Sequence, residues 1–522
     1  MGRKKIKPFF ENVQIEALAA EGNSVAKVDG KVLFVQKGIP GDVVDVQVNK
    51  VRSGYMMGYI TRIVTPSPYR VEPFCSHFGV CGGCTWQHLP YQRQLAFKEQ
   101  QVVDQLTRIG HLQLPEVSPI LGSPQTTHYR NKLDFAFSNH RWVLEGEDPD
   151  SIAPSDWPAC GFHVAGFFDK VLDIKRCYLQ REPSDSIRLF IKNYALEHNL
   201  EFYDIRAQKG YLRDLIIRCL ASGEVMVTIV FAYLDMELQR PLMEQLMERF
   251  PMITSLNYII NGKLNDSISD LPFTSWNGVD CVYETMEGLR FKIGPKSFFQ
   301  TNSVQVHRLY SVVRDFAKLS GNEIVYDLYT GTGTIALFLS AKAKRVVGIE
   351  YVNEAIEDAK VNAQINGIDN ASFFAGDMKD VLNAEFIEAN GTPDVVVLDP
   401  PRAGIHPSVA KVLLKSAPKR IVYVSCNPAT QARDLEWLCR GWVDKDEMPA
   451  EAPQATVADV EPQATAADVA LQAAAADVAP QAAPADVAPQ AALPRYRILA
   501  VQPVDMFPHT IHVENVVLLE RE

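Results

Sequence analysis

The stretch Ile324-Val325-Tyr326-Asp327-Leu328-Tyr329-Thr330-Gly331-Thr332-Gly333-Thr334 decides the fold. It reads as a buried strand running into a tight glycine turn, with a helix continuing from Ile335 to Ala341. Val346-Val347-Gly348-Ile349-Glu350 is a second strand that ends in an acidic residue. Two further β-branched runs, Val395–Leu398 and Ile421–Val424, lead into Asp399-Pro400-Pro401-Arg402 and Ser425-Cys426-Asn427-Pro428. Strand and helix alternate from about Ile293 onward, which predicts a C-terminal α/β unit of Rossmann-like type.

Such a sheet keeps its chemistry in the loops at the carboxyl ends of its strands. Glycines let a ligand approach the backbone closely, and a carboxylate ending the second strand can bind both hydroxyls of a ribose. Only Gly331-x-Gly333 is present, without the third glycine that suits a dinucleotide pyrophosphate. That favours a nucleoside cofactor such as S-adenosylmethionine over NAD. Cys426 is the candidate nucleophile, set against the commoner role of a free cysteine, which is to pack.

Upstream, Asn12 to Val64 alternates in the strand manner with turns at Asp29-Gly30 and Gly38-Ile39-Pro40-Gly41-Asp42, predicting a small closed β-barrel. Lys50, Arg52, Tyr55, Tyr59 and Arg62 are basic and aromatic residues of the kind with which such a barrel holds nucleic acid, and they equally suit a solvated barrel face. Cys75-x5-Cys81-Gly-Gly-Cys84 follows. Three cysteines among glycines suit a thiolate-bound metal or an iron–sulfur cluster, with Cys160 or Cys177 as fourth ligand. Zinc sites of four cysteines usually show two short pairs, so the spacing leans toward a cluster. Pro90 to Gly110 has helical spacing with Gly110 as its C-cap. Tyr129 to about Arg290 reads as a mainly β or α+β segment, on which Arg130, Lys132, Arg213 and Arg218 could meet phosphates or form surface ion pairs.

The chain has 522 residues and a net charge of −11. Nine acidic residues between Asp444 and Pro494 stand against Lys445 alone, so only −3 falls on the rest, and charge neither demands nor forbids an RNA partner. In that stretch Ala-Asp-Val recurs every nine residues among Ala, Pro and Gln, a composition that predicts a disordered insertion at 444–494. Tyr496 to Val501 then resumes the sheet. No apolar run reaches membrane-span length and the first residues lack a signal peptide's apolar core, so a cytoplasmic, non-membrane protein is expected. Its nine cysteines then suit metal binding or catalysis better than disulfides.

The motifs together resemble the RNA (uracil-5-)-methyltransferases, specifically the bacterial branch acting on 23S ribosomal RNA. The resemblance rests on Cys75/Cys81-Gly-Gly-Cys84-Thr-Trp-Gln-His, Tyr129-Arg-Asn-Lys, Ser297-Phe-Phe-Gln300-x-Asn302 and Asp327-Leu-Tyr-x-Gly-x-Gly. It rests equally on Asp399-Pro-Pro-Arg, Ser425-Cys426-Asn-Pro and Met506-Phe-Pro-His-Thr-x-His-Val-Glu514. It implies an OB-like TRAM barrel for RNA over residues 1–67, an α+β central domain with an iron–sulfur site over 68–292, and a methyltransferase domain over 293–522. Cys75, Cys81, Cys84 and Cys177 would bind a [4Fe-4S] cluster, Cys177 being preferred to Cys160 for its Asp-Ile-x-x-Cys-x-Leu context. Gln300, Tyr329, Thr334, Glu350, Asp377 and Asp399 would line the S-adenosylmethionine site, with Thr334 replacing an amide and Asp377 the usual Asn.

By the same resemblance, Cys426 adds to uracil C6 and Glu514 is the general base that removes the C5 proton after methyl transfer. The cluster would be structural or RNA-positioning, since methyl transfer moves no electrons. No obligate protein partner is implied, and a monomer is expected. Three alternatives stand beside this reading: a transfer-RNA uracil-5 methyltransferase, an amino-directed nucleic-acid methyltransferase, and a non-catalytic iron–sulfur RNA-binding protein.

Overall fold

A computed structural model describes residues 7–19, 22–441 and 493–522. The repeat insertion expected at 444–494 therefore lies, except for its last two residues, outside the described residues. Strands β1 (Phe9–Gln14), β2 (Ala17–Leu18), β3 (Ser24–Val28), β4 (Lys31–Gln36), β5 (Val43–Val51) and β6 (Tyr55–Thr65) form one sheet in the order β1-β5-β6-β4-β3-β2. Val13, Ile15, Leu33, Val35, Val44, Val46 and Val48 fill its interior, the inward half of each alternating strand. Tyr55 is buried there against Phe34 at 5.7 Å, so it is a core residue and not an RNA contact.

Helix α1 (Tyr91–Arg108) follows the cysteine motif. Gly110 does not cap it by a left-handed turn: a Cβ there would stand 2.7 Å from the carbonyl of Ala432, so glycine serves close approach. The central sheet holds β7 (Lys132–Ser138), β8 (Ala159–His163), β9 (Val171–Asp173), β10 (Leu212–Cys219), β11 (Val225–Phe231), β12 (Ile253–Ile260) and β13 (Phe273–Ser275). Their order is β13-β12-β11-β10-β7-β8-β9, with only β11 and β12 parallel. Helices α2 (Ser184–Glu197) and α3 (Met236–Arg249) share its core through Ile187, Ile191, Leu242 and Leu246. Arg213 and Arg218 do not meet solvent. Arg213 donates to the carbonyls of Asn261 at 2.8 Å and Lys263 at 2.6 Å, Arg218 to that of Ser297 at 2.5 Å.

After the hairpin β14 (Val282–Met286) and β15 (Leu289–Ile293) comes α4 (Ser303–Ala317), then the alternation begins. Its elements are β16 (Ile324–Leu328), α5 (Thr334–Ser340), β17 (Arg345–Glu350), α6 (Asn353–Ile365), β18 (Ala371–Ala375), α7 (Met378–Val381), α8 (Ala384–Asn390), β19 (Val395–Leu398), α9 (Pro407–Ser416), β20 (Arg420–Ser425), α10 (Pro428–Arg440), β21 (Tyr496–Val504) and β22 (Glu514–Arg521). The sheet order is β18-β17-β16-β19-β20-β22-β21. Strands β16 to β20 are parallel and β22 runs antiparallel to both neighbours. Alternate residues serve opposite faces: Val325, Val395 and Val397 pack toward α4, α5 and α6, while Tyr326, Val396 and Leu398 pack toward α1, α9 and α10. The result is a sheet between two helical layers.

The segment from α1 to Leu121 packs on this sheet. Val102 and Leu106 enter its core, Ser118 and Leu121 donate to the carbonyls of Val501 and Pro503 at 3.0 Å each, and Leu121 bridges Val504 in parallel. No helix among the described residues is long and apolar enough to cross a membrane.

Candidate active site

The strand order reverses between β16 and β19, and the carboxyl ends of β16 to β20 open on one edge of the sheet. Asp327 near the end of β16 builds the turn: its carboxylate accepts from the Thr330 hydroxyl at 2.6 Å and the Ala336 amide at 3.0 Å. Its other oxygen is buried without a partner, and burial pushes its pKa up to about 7. Tyr329 follows with a left-handed φ of +66°, a strained conformation that lays the turn over the strand ends. Gly333 has φ +79°, and a Cβ there would come within 3.0 Å of Ala359 and Phe373. A Cβ on Gly331 meets nothing within 4 Å, so the turn is open on its outer side.

Glu350 ends β17 beside this opening, accepting from the amides of Gly331 at 3.2 Å and Val352 at 3.0 Å. Each carboxylate oxygen keeps a second lone pair. Thr334 is the first residue of α5 and exchanges a 3.0 Å hydroxyl contact with buried Tyr310 of α4. Asp377 caps α7 after β18, accepting from the Lys379 amide. An open glycine turn with Glu350 at its rim fits a nucleoside cofactor. Gln300 arrives from outside the sheet. Its carbonyl accepts from Asn131 at 2.9 Å, and the neighbouring Asn302 donates to the Met506 carbonyl at 3.0 Å, tying this segment to the loop before β22.

Because β22 is antiparallel to β20, its first residues lie at the carboxyl end of β20. Ser425 pairs with Asn515, which sets Glu514 level with Cys426. Asp399 follows β19 next door, and its amide donates to the Leu328 carbonyl at 3.4 Å. Burial and acidic neighbours raise the pKa of all three groups. Burial, then Glu514 and Asp399, push the Cys426 thiol up to about 12; burial and Asp399 push Glu514 up to about 8; burial and Asp327 push Asp399 up to about 7. Arg402 is the cation that opposes the shifts at Cys426 and Glu514. Its backbone is fixed by α10: Asn427 and Thr430 each donate to the Arg402 carbonyl at 3.0 Å. A half-buried thiol, two carboxyls poised near neutrality and one guanidinium suit nucleophilic addition followed by proton removal.

The loop from Val504 to Glu514 is held from α1. Lys98, fully buried, donates to Asp505 at 2.6 Å and to the Phe507 carbonyl at 3.0 Å, and Tyr91 donates to Asp505 at 2.7 Å. Gln94 accepts from the His509 amide at 2.9 Å, and the amides of Thr85 and Trp86 donate to the His509 carbonyl at 2.9 and 3.0 Å. These clamps were not legible in the sequence. Their only signal was a helix carrying Tyr91, Gln94 and Lys98 on one face.

Cys75, Cys81, Cys84 and Cys177 line one cavity of about 990 Å³, apart from Cys426. Cys160 lies instead in the core of the central sheet. The donor types are those of a metal centre. Among the described residues, however, no group of three or more His, Cys, Asp or Glu side chains is arranged to hold a metal ion.

Residues 284–443 match the tRNA (Uracil-5-)-methyltransferase family model and residues 11–60 the TRAM domain. An "uncharacterized RNA methyltransferase" of Bacteroides thetaiotaomicron is 50% identical over 506 residues, spanning 96% of this chain and all of that protein. The chain belongs to the RNA (uracil-5-)-methyltransferase family. A second RNA methyltransferase, from Porphyromonas gingivalis, is 49% identical across 98% of this chain and 99% of its own. Among solved structures, the tRNA (uracil-54, C5)-methyltransferase of Pyrococcus abyssi, in complex with S-adenosyl-L-homocysteine, matches with a TM-score of 0.67 and 27% identity, covering 98% of this chain and 100% of its own. This methyltransferase therefore uses S-adenosylmethionine and acts on RNA, and the non-catalytic alternative falls away.

Proposed function

We propose that this methyltransferase converts a uridine of 23S ribosomal RNA to 5-methyluridine through a covalent adduct on Cys426. What supports the reading is the register of β20 and β22, in which the thiol and the Glu514 carboxyl stand side by side. Uracil C5 is a weak nucleophile. As the Cys426 sulfur adds to C6, its proton passes to an ionised carboxylate, and the C5–C6 electron pair becomes an enolate. S-adenosylmethionine supplies the methyl group as an electrophile on its sulfonium sulfur. Glu514 then takes the C5 proton, the C5–C6 double bond reforms and Cys426 leaves as thiolate. A carboxyl with a pKa near 8 is a far stronger base than an ordinary glutamate. Arg402 faces the negative charge that develops.

Glu350 would hold the ribose hydroxyls, with Tyr329, Thr334, Asp377, Asp399 and Gln300 around the rest of the cofactor. Cys75, Cys81, Cys84 and Cys177 would carry a [4Fe-4S] cluster, a proposal supported by their common cavity and checked by iron and sulfide content after anaerobic purification. The reading extends to a cytoplasmic monomer in which residues 1–67 grip RNA, 68–292 carry the cysteine centre and 293–522 perform the transfer.

A second reading, transfer RNA as substrate, is favoured by the Pyrococcus abyssi neighbour, whose own substrate is uracil-54 of tRNA. Both RNAs containing 5-fluorouridine are incubated with the protein and S-adenosylmethionine, then run on a denaturing gel. Fluorine cannot leave as a proton, so a methylated adduct should form with 23S RNA and vanish in Cys426→Ala. Capture of tRNA alone transfers the assignment. Activity on ordinary RNA with no adduct on either overturns the thiolate mechanism and revives an amino-directed methyltransferase.

A further inference from the structure

We propose that the cavity beside the four cysteines binds a second, unstacked nucleotide of the RNA substrate, with Phe168 as stacking platform and Arg176 as phosphate contact. The proposal rests on the RNA reading above and adds a subsite to it.

The turn joining β8 to β9 presents Phe167 and Phe168 at 48% and 57% exposure, and both line the cavity. Phe167 is anchored by Trp142, with ring centroids 5.2 Å apart. No ring packs on Phe168 among the described residues. Two large aromatics at the tip of a hairpin are costly to leave in water, and a flat exposed ring is what an unpaired base stacks on.

The charge around the rings has one sign. Arg130, Lys132, Arg176 and Lys296 line the cavity against Asp134 alone, on a chain whose net charge is −11. Asp134 is taken by Lys132 at 3.0 Å, and Lys296 donates to the carbonyls of Ser269 and Leu271. Arg176 has no carboxylate partner among the described residues, its guanidinium lying 4.8 Å from the Tyr178 ring centroid. The Nε of Arg130 is buried without a hydrogen-bond partner. A cation without a carboxylate, Arg176, and a ring without a partner, Phe168, on one cavity are complementary to a single-stranded nucleotide.

The cavity also adjoins the proposed catalytic pocket. Phe299 and Thr301, the neighbours of Gln300, line it, and the Arg130 guanidinium sits 5.6 Å from the ring of Phe507 in the loop leading to Glu514. A uridine drawn out of its stack leaves its neighbour unstacked as well. A cavity of about 990 Å³ is at the upper end of sizes that hold an organic ligand, ample for a nucleotide beside the thiols.

The test is fluorescence anisotropy of a labelled twelve-uridine RNA, and of its abasic counterpart, with the anaerobically purified full chain. Phe168→Ala should weaken binding of the uridine probe about tenfold, leave its salt dependence unchanged and bind the abasic probe as wild type does. Phe168→Trp should restore binding. Arg176→Ala should weaken both probes and lower the salt slope by about one. Unchanged S-adenosylmethionine binding shows that the variants are folded. Equal binding of the uridine probe by wild type and Phe168→Ala overturns the proposal, as does a loss that persists on the abasic probe or a wild type that binds neither. Formation of 5-methyluridine by wild type is measured separately, so loss of the parent reading is recognised independently.

Discussion

Asp505 and Glu514 close the two ends of the loop between β21 and β22, and both carboxyls are buried, yet they have been treated in opposite ways. Asp505 receives Lys98 at 2.6 Å, the Tyr91 hydroxyl at 2.7 Å and the Phe507 amide at 3.0 Å. Glu514 has Asp399 and Cys426 for neighbours and only Arg402 to oppose them, so its pKa rises to about 8. A buried charge with its bonds complete is inert and holds the chain in place. One left short of them exchanges protons near neutrality. The first end of the loop is a fastening and the second is a tool.

The sharpest break of that contrast is Cys426→Ala, which should lower kcat by about 10⁴-fold or more, as loss of a nucleophile does, and abolish adducts with 5-fluorouridine RNA. Glu514→Gln should lower it by about 10²- to 10⁴-fold and leave methylated, unsubstituted RNA bound to Cys426 on a denaturing gel.

At the other end, Lys98→Met should cost about 3–5 kcal/mol of stability by stranding a buried carboxylate. Adding Asp505→Asn should recover part of it, as read by denaturant unfolding. Were Lys98→Met to leave stability intact and lose only activity, the fastening would have been misread.

The Glu514 end should also respond to pH. The folded value of Glu514, about 8, lies above its ordinary 4.5. Its burial is therefore free below about pH 4.5 and costs increasing stability as pH rises to 8. Glu514→Gln should raise the melting temperature at pH 8.5 more than at pH 5, while wild-type kcat/KM climbs through pH 8 as the base ionises. The smallest effect expected is that of Tyr310→Phe, which removes the 3.0 Å contact with Thr334 and should raise KM for S-adenosylmethionine about threefold.

The strands of the catalytic sheet were legible because parallel, doubly buried strands are continuous apolar runs: Val395–Leu398 agrees to the residue, and α5 begins one residue before its expected start. Cys426 and Asp399 were legible as ends of such runs. Glu514 was reachable only through resemblance, since its place beside Cys426 depends on β22 inserting between β20 and β21, a pairing with no local signal. The Lys98–Asp505 bond spans 407 positions and is equally silent. Tyr55, Arg213 and Arg218 looked like surface contacts because polarity does not reveal a buried partner. Gly110 looked like a cap because spacing cannot show that the Ala432 carbonyl of another helix would stand 2.7 Å from a Cβ there.

The place of β22 also bears on the order in which the protein comes into being. Everything else in the pocket, from Gln300 through Cys426, is synthesised before Glu514, and the strand that brings Glu514 enters the sheet between β20 and β21. On the proposed mechanism, a nascent chain halted after Arg440 holds the nucleophile and the glycine turn and lacks the base. It could become attached to a uridine without being able to let go. By that mechanism, the ribosome has to finish β22 before the enzyme can release an RNA.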